Sequence, residues 1–260
     1  MTMTERALQL RRSRTPYVHA TVVRAQQPAS AHVGDQAILL SDGTIEGFVG
    51  GQCAQGSVRK AALGALQTGE SVLLRVLPDG DVHFPDAPGA CVVVNPCLSG
   101  GALEIFLAAQ VPAPLVRIFG STPIAEALAD ISTALGYDVQ RDDESDLGHP
   151  TAVVIATHGG PEAETIRVAL DAGVGYIGLV ASEIRGGAIL DQLELTDCQR
   201  ARVHTPVGLP IGARTPGEIA VAIIAEVIRE MRVAGLTPPG LPNMALQQED
   251  SKEPACHGHR

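Results

Sequence analysis

Two cysteines lie within glycine-rich turns, and the first chemistry to be expected of this chain is there. The stretch Ile45-Glu-Gly-Phe-Val-Gly-Gly-Gln-Cys-Ala-Gln-Gly-Ser-Val58 holds four glycines and Cys53. A second turn, Pro96-Cys-Leu-Ser-Gly-Gly101, holds Cys97, Gly100 and Gly101. Residues 57–66 read as a helix with Val58, Ala61, Ala62 and Ala65 on one face, so Gly50, Gly51, Gln52 and Cys53 form a backbone-rich loop that opens it. Bare N–H groups at a helix N-terminus favour an anion. The same place lowers a thiol's pKa and makes Cys53 more nucleophilic or metal-binding. The competing reading is a tight turn with a small buried cysteine as core filler. The residues alone leave both open.

The second half offers a different chemistry. Gly120-Ser-Thr-Pro-Ile-Ala125 stands between an apolar strand and a helix, where a dinucleotide fold places its phosphate loop. Gly120 makes the turn, Ser121 and Thr122 follow, and Ala125 is an accepted substitute at the third glycine position. Thr122 replaces the second glycine and puts a side chain where phosphates would lie. Asp142 or Asp143, about 20 residues on, fits the acid that meets a ribose. Any ligand is expected at the C-terminal strand ends, among Ser121, Thr122, Asp142, Thr157, His158, Ser182 and Arg185. His158 reads equally as an acid, a base, a ligand or an ordinary loop histidine. The corresponding function is that of an oxidoreductase using NAD(P) or FAD, set against a Rossmann-shaped domain kept for packing or partner contact. No G-x-S-x-G elbow, HExxH or CxxC occurs. Cys91, in an apolar strand, is most simply core, and Cys198 lies in a polar segment with no obvious partner.

The elements that must position these groups fall into two styles. Short strands are predicted over 17–24, 34–40, 44–49, 70–77, 90–95 and 101–108, with a helix or arm over 1–15. One good helix among mixed strands makes residues 1–110 a small α+β domain. Residues 111–114, proline-stiffened, read as a linker. From 115 to 235 strands and helices alternate (strands near 115–119, 137–140, 152–156, 175–180 and 201–206), the pattern of a Rossmann-like parallel sheet covered on both faces. The final helix is predicted over 216–232, capped by Thr215 with Glu218. The overall class is α/β. Residues 236–260 read as a flexible tail, whose Cys256-His-Gly-His259 offers three potential metal ligands without a folded frame.

Composition bounds the function. The 260 residues are 45% hydrophobic, enough for a substantial core, and carry a net charge of −10. Such a chain is a poor partner for nucleic acid, whose phosphates need a basic surface. It can still hold an anionic cofactor on local N–H groups. Nothing in Met1–Arg14 forms an apolar signal core, and no apolar run reaches the ~18 residues of a membrane span. A cytoplasmic location is expected by default. Five irregularly spaced cysteines do not suggest a disulfide framework. Ala/Val-rich faces such as Ile219 to Ile228 leave room for a homodimer.

Several motifs, in order, resemble the XdhC/CoxI family, accessory proteins that mature molybdenum hydroxylases such as xanthine dehydrogenase and carbon monoxide dehydrogenase. Gly47 to Val58 is similar to the family's G-x-[VI]-G-G-x-C loop and its helix. Cys97 to Phe106 is similar to its C-G-G segment and E-x-F strand. Tyr176 to Ser182, Val207 to Ala213 and Thr215 to Ala220 resemble its Y-[IV]-G-x-x-x-S, G-L-x-I-G-A and T-P-x-E-I-A signatures. The likeness covers about residues 15 to 233. It departs at Gln52 and Gln55, where the family usually has Gly and Glu, and in Leu98-Ser99, which separate Cys97 from its glycines.

The resemblance implies a cofactor-handling domain followed by a Rossmann domain. It implies that the protein binds the molybdenum cofactor (molybdopterin type), protects it and delivers it to an apo-hydroxylase, often after sulfuration with a cysteine desulfurase. It makes the chain more a maturation chaperone than an enzyme, with Cys53 the residue for any catalysis. The phosphate would rest on the glycine cradle, and a thiolate of Cys53 or Cys97 would sit near molybdenum or relay sulfur.

Overall fold

A computed structural model describes residues 2–78, 84, 85, 87–94, 101–141 and 150–233. They fall into two compact units, the first ending at Pro112 and the second beginning at Ala113.

The first unit is a six-stranded sheet with a helix against each face. Its strands are β1 (Tyr17–Gln26), β2 (Gln36–Leu40), β3 (Ile45–Gly47), β4 (Val72–Leu77), β5 (Cys91–Val94) and β6 (Ala102–Gln110), in the order β3-β2-β1-β6-β4-β5. All neighbours run antiparallel except β4 and β5. Strand alternation sends Val18, Ala20 and Val22 of β1 and Leu103, Ile105 and Leu107 of β6 to one face, where they are buried. Helix α2 (Gln52–Thr68) covers that face with Val58, Ala62, Ala65 and Leu66, the stripe of one helical face. Gly69 closes α2 in the left-handed conformation. Helix α1 (Met3–Arg12) covers part of the other face, where Leu10 packs with Tyr17 and Ile38. Arg6 pairs with Glu46 at 2.7 Å and ties α1 to β3.

The second unit is a five-stranded, wholly parallel sheet. Strands β7 (Leu115–Phe119), β8 (Asp138–Arg141), β9 (Ala152–Ile155), β10 (Tyr176–Leu179) and β11 (Val203–His204) stand in the order β11-β10-β9-β7-β8. Helices α3 (Pro123–Ala134) and α7 (Pro216–Arg232) bury one face; α4 (Glu162–Asp171) and α5 (Glu183–Asp191) bury the other. A short helix, α6 (Asp197–Arg200), precedes β11. Every residue of β9 and β10 is buried, as a strand covered on both sides requires.

The α/β class and the Rossmann-like second unit are as the alternation predicts. Three details differ. Helix α2 begins at Gln52, not Ser57, so Cys53 belongs to the helix's first turn and the loop proper is Gly50-Gly51. Strand β11 is two residues long, because Thr205 leaves the sheet and its side chain packs on Gly186 of α5. Cys91 is not plain core: it is half-exposed and disulfide-bonded. Residues 111–114 belong to no regular element. The predicted tail and its Cys256-to-His259 run lie outside the described residues.

Candidate functional site

In the first unit the site is built by backbone. Gly47 ends β3 with φ 109°, and a Cβ there would lie 2.5 Å from the Gln36 carbonyl oxygen, so only glycine lets β3 close on β2. Val49 then plugs the core and Phe48 stays exposed. Gly50 adopts φ 140°; its Cβ position is 3.0 Å from the Ala54 side chain and 3.1 Å from Leu103. Gly51 is the N-cap of α2, and no side chain caps the helix. The Ala54 and Gln55 N–H groups turn back to the Gly51 carbonyl at 3.0 and 3.1 Å. Gln52 and Cys53 open this 17-residue helix at its positive end, where N–H groups have no intrahelical carbonyl to receive them. Arg59 donates to the Gly43 carbonyl at 2.8 Å and pins the helix to the β2–β3 turn. Gln55, where the family usually has Glu, reaches toward the Gly50 carbonyl at 3.5 Å.

Gly101, the residue that ends the second cysteine-bearing stretch, comes to the same place. A Cβ on Gly101 would lie 2.5 Å from the Pro28 carbonyl oxygen and 2.8 Å from Ala29 Cα. A Cβ on Gly51 would lie 3.5 Å from Ser30 Oγ. Gly51 and Gly101 therefore both abut the single loop Pro28–Ser30, and Gly50 touches Leu103, two residues beyond Gly101. The structure thus brings together Gly50, Gly51 and Gly101, with Gln52 exposed beside them. Cys97, Gly100 and the Cys53 side chain lie outside the described residues. Among the described residues no group of three metal-binding side chains occurs.

In the second unit the predicted groups gather at the C-terminal strand ends. Gly120, at φ 107°, lies directly on the Ala156 carbonyl, so the loop after β7 touches the end of β9 and no side chain fits between. Thr122 is buried; its Oγ1 accepts from the Ala125 N–H at 3.2 Å and caps α3, while Ser121 is exposed. Thr157 donates to Glu162 Oε1 at 2.6 Å, and Arg185 donates to the same oxygen at 2.5 Å. Burial pushes the Glu162 carboxyl up. The Thr157 hydroxyl, the Arg185 guanidinium and the Gly159 backbone outweigh it and hold the group below its ordinary value. Ser182 caps α5, and His158 stands exposed. Asp142 lies outside the described residues.

Sequence reasoning missed three groups. Arg141, the last residue of β8, donates to the Gly120 carbonyl at 3.0 Å. Glu162 is the acid that joins Thr157 to Arg185; its signal was a glutamate in the first turn after Gly-Gly-Pro. Glu226, inside α7, accepts from the Tyr176 hydroxyl at 2.9 Å and the Gly208 N–H at 2.7 Å, with His204 and Arg229 at 3.5 and 3.2 Å. Tyr176 stacks on His204, and burial, then the adjacent Glu226, raises its phenol well above the usual value. This cluster locks α7 to β10 and to the segment after β11, and serves packing.

A parallel sheet with a glycine turn at its switch point, joined to a small mixed-sheet unit with an uncapped glycine-entered helix, defines a two-unit protein of Rossmann type. Comparison with known proteins agrees. Residues 116–227 match the XdhC Rossmann domain and residues 10–76 match the XdhC and CoxI family, together well over half of the chain. The chain belongs to the XdhC/CoxI family. It is 27% identical over 255 residues to an uncharacterized Escherichia coli (strain K12) protein, YqeB, covering 86% of this chain and 45% of that protein. The chain thus spans less than half the length of that relative. A solved Bacillus halodurans structure described as a xanthine dehydrogenase aligns over 89% of this chain and 96% of its own, at 16% identity and a TM-score of 0.42, a likeness that decides nothing. Among the described residues no helix is long and apolar enough to cross a membrane.

Proposed function

We propose that the first unit binds the molybdenum cofactor as cargo, and that the protein protects it, supports its maturation and delivers it to an apo-hydroxylase of the xanthine dehydrogenase or carbon monoxide dehydrogenase type. The observation that carries this reading is the meeting of the Gly50-Gly51 and Gly101 turns on the loop Pro28–Ser30, at an uncapped helix start. A Cβ at Gly101 would drive into the backbone of that loop. The chemistry of the donors suits a phosphate-bearing dithiolene: main-chain N–H groups for the phosphate, thiolates of Cys53 and Cys97 as soft ligands or sulfur carriers. Transfer to a partner, sulfuration with a cysteine desulfurase and a homodimer belong to the same proposal.

The test is production in cells that make molybdopterin, followed by quantification of the bound pterin. Wild type should retain it, Cys53→Ala should lose most of it, and Gly51→Asp, which places a carboxylate at the helix start, should lose it as well. Equal occupancy in all three proteins removes this site from the reading. A nucleotide-dependent oxidoreductase is the second reading, favoured by the Arg141–Gly120 contact across the Rossmann crevice.

A further inference from the structure

The second unit has its own crevice, and its residues say which nucleotide it suits. In strand order the sheet reads β8-β7-β9-β10-β11, so connections leave β7 and β9 in opposite directions. Helix α3, after β7, packs on one face, and α4, after β9, on the other. The C-terminal ends of β7 and β9 are therefore the topological switch point, where open α/β sheets take ligands. Here Gly120 lets the two strand-end loops touch.

The sequence raised an objection: Thr122 stands where a dinucleotide loop has its second glycine. The structure weakens it. Thr122 is buried, and its hydroxyl is committed to the Ala125 N–H, so the side chain turns back into the helix instead of standing in the crevice.

The residue that ends the second strand chooses between cofactors. An acid there accepts from the ribose hydroxyls, whereas an arginine accommodates a phosphate on the same ribose. β8 ends in Arg141, an exposed side chain that crosses to the Gly120 carbonyl at 3.0 Å. It is thus held between the second strand and the first loop, where that ribose would lie. The bond uses one of the five N–H donors of a guanidinium. The acid the structure describes at this rim, Glu162, is buried and already engaged by Thr157 and Arg185.

We propose that this crevice binds a nucleotide whose ribose carries an extra phosphate, of the NADP type, and that Arg141 is the specificity residue that receives that phosphate. The site lies in the other unit from the cofactor cradle; the inference rests on the second, nucleotide-binding reading given above and is independent of the cofactor-carrier one. It opposes the expectation from Asp142, an acid whose natural ligand is the free ribose hydroxyl of NAD.

The experiment is calorimetric titration of the full chain with NADPH and NADH, and with 2′,5′-ADP and 5′-ADP as fragments. The 2′-phosphorylated member of each pair should bind about tenfold tighter or more, since charge-assisted contacts to phosphate are the strong ones. Arg141→Gln should bring the pair to within about twofold, Arg141→Lys should keep part of the preference, and Asp142→Asn should leave it in place. Arg141 is at an exposed strand end, and an unchanged melting temperature shows each variant folded. Equal binding of both members, no binding of either, or a preference that survives Arg141→Gln overturns the proposal. The pterin measurement is independent: a chain that retains molybdopterin and ignores NADPH defeats this inference alone, and the reverse pattern defeats only the cofactor-carrier reading.

Discussion

The two sheets solve the same problem in opposite ways. The first leaves part of one face exposed, as at Phe106 and Val92, and tucks a charge cluster into it: Glu104 of β6 accepts from Arg75 of β4 at 2.7 Å and pairs with Arg24 of β1 at 3.1 Å. Both guanidinium groups also lie over the Phe84 ring, at 5.4 and 5.8 Å. The second sheet is covered on both faces, so its polar cluster around Glu226 is sealed under α7. Glu104 and Arg75 are themselves buried, and of the first cluster only Arg24 is exposed and keeps water as a fallback. Groups buried in this way have only one another, and losing one partner strands the rest.

That contrast predicts a graded response. The largest effect is expected from Glu226→Ala, which leaves the Tyr176 hydroxyl and the Gly208 N–H without their acceptor. It should cost about 3–5 kcal/mol. The loss should be confined to the parallel unit, read by hydrogen exchange as lost protection in β9 and β10 with β1 and β6 unchanged. Uniform loss in both sheets would contradict the separation. Glu104→Ala should fall at the low end of that range, about 3 kcal/mol, because the exposed Arg24 returns to water and the buried Arg75 keeps the Pro85 carbonyl. It should lower protection in β4 and β6 only; lost protection in β9 or β10 would erase the contrast.

The smallest effect concerns pH. The Glu162 carboxyl is held below its ordinary value, so its stabilisation is complete above the carboxylate range of about 4.3 and is lost as pH falls through the folded value. The gap in unfolding midpoint between wild type and Glu162→Gln should therefore be largest above about pH 5 and close in acid. A gap that widens as pH falls would reverse the assigned sign.

What could be read from the sequence follows the same division. The parallel unit was legible because its strands are continuous apolar runs, such as Ala152–Ile155, punctuated by helices at regular spacing. The mixed sheet gave its strands through alternation, yet the start of α2 was misplaced by five residues. Gln52, Cys53 and Ala54 carry no helix-start signal, since Gly51 caps without a side chain. The cradle was half visible. Gly50 and Gly101 announce turns, but their meeting depends on the loop Pro28–Ser30, whose sequence gives no hint of it. Glu162, Glu226 and Arg141 were missed because their partners lie 5 to 50 residues away in sequence and are brought near only by the fold.

Helix α7 also fixes the order in which the chain can finish during synthesis. It lies beside α3, the first helix of its unit, and supplies the carboxylate for Tyr176, 50 residues upstream. The parallel-sheet unit therefore stays open on the ribosome until α7 emerges, whereas the described strands of the mixed-sheet unit are all made by Gln110. A nascent chain has the first unit in hand while the second is still without its cover.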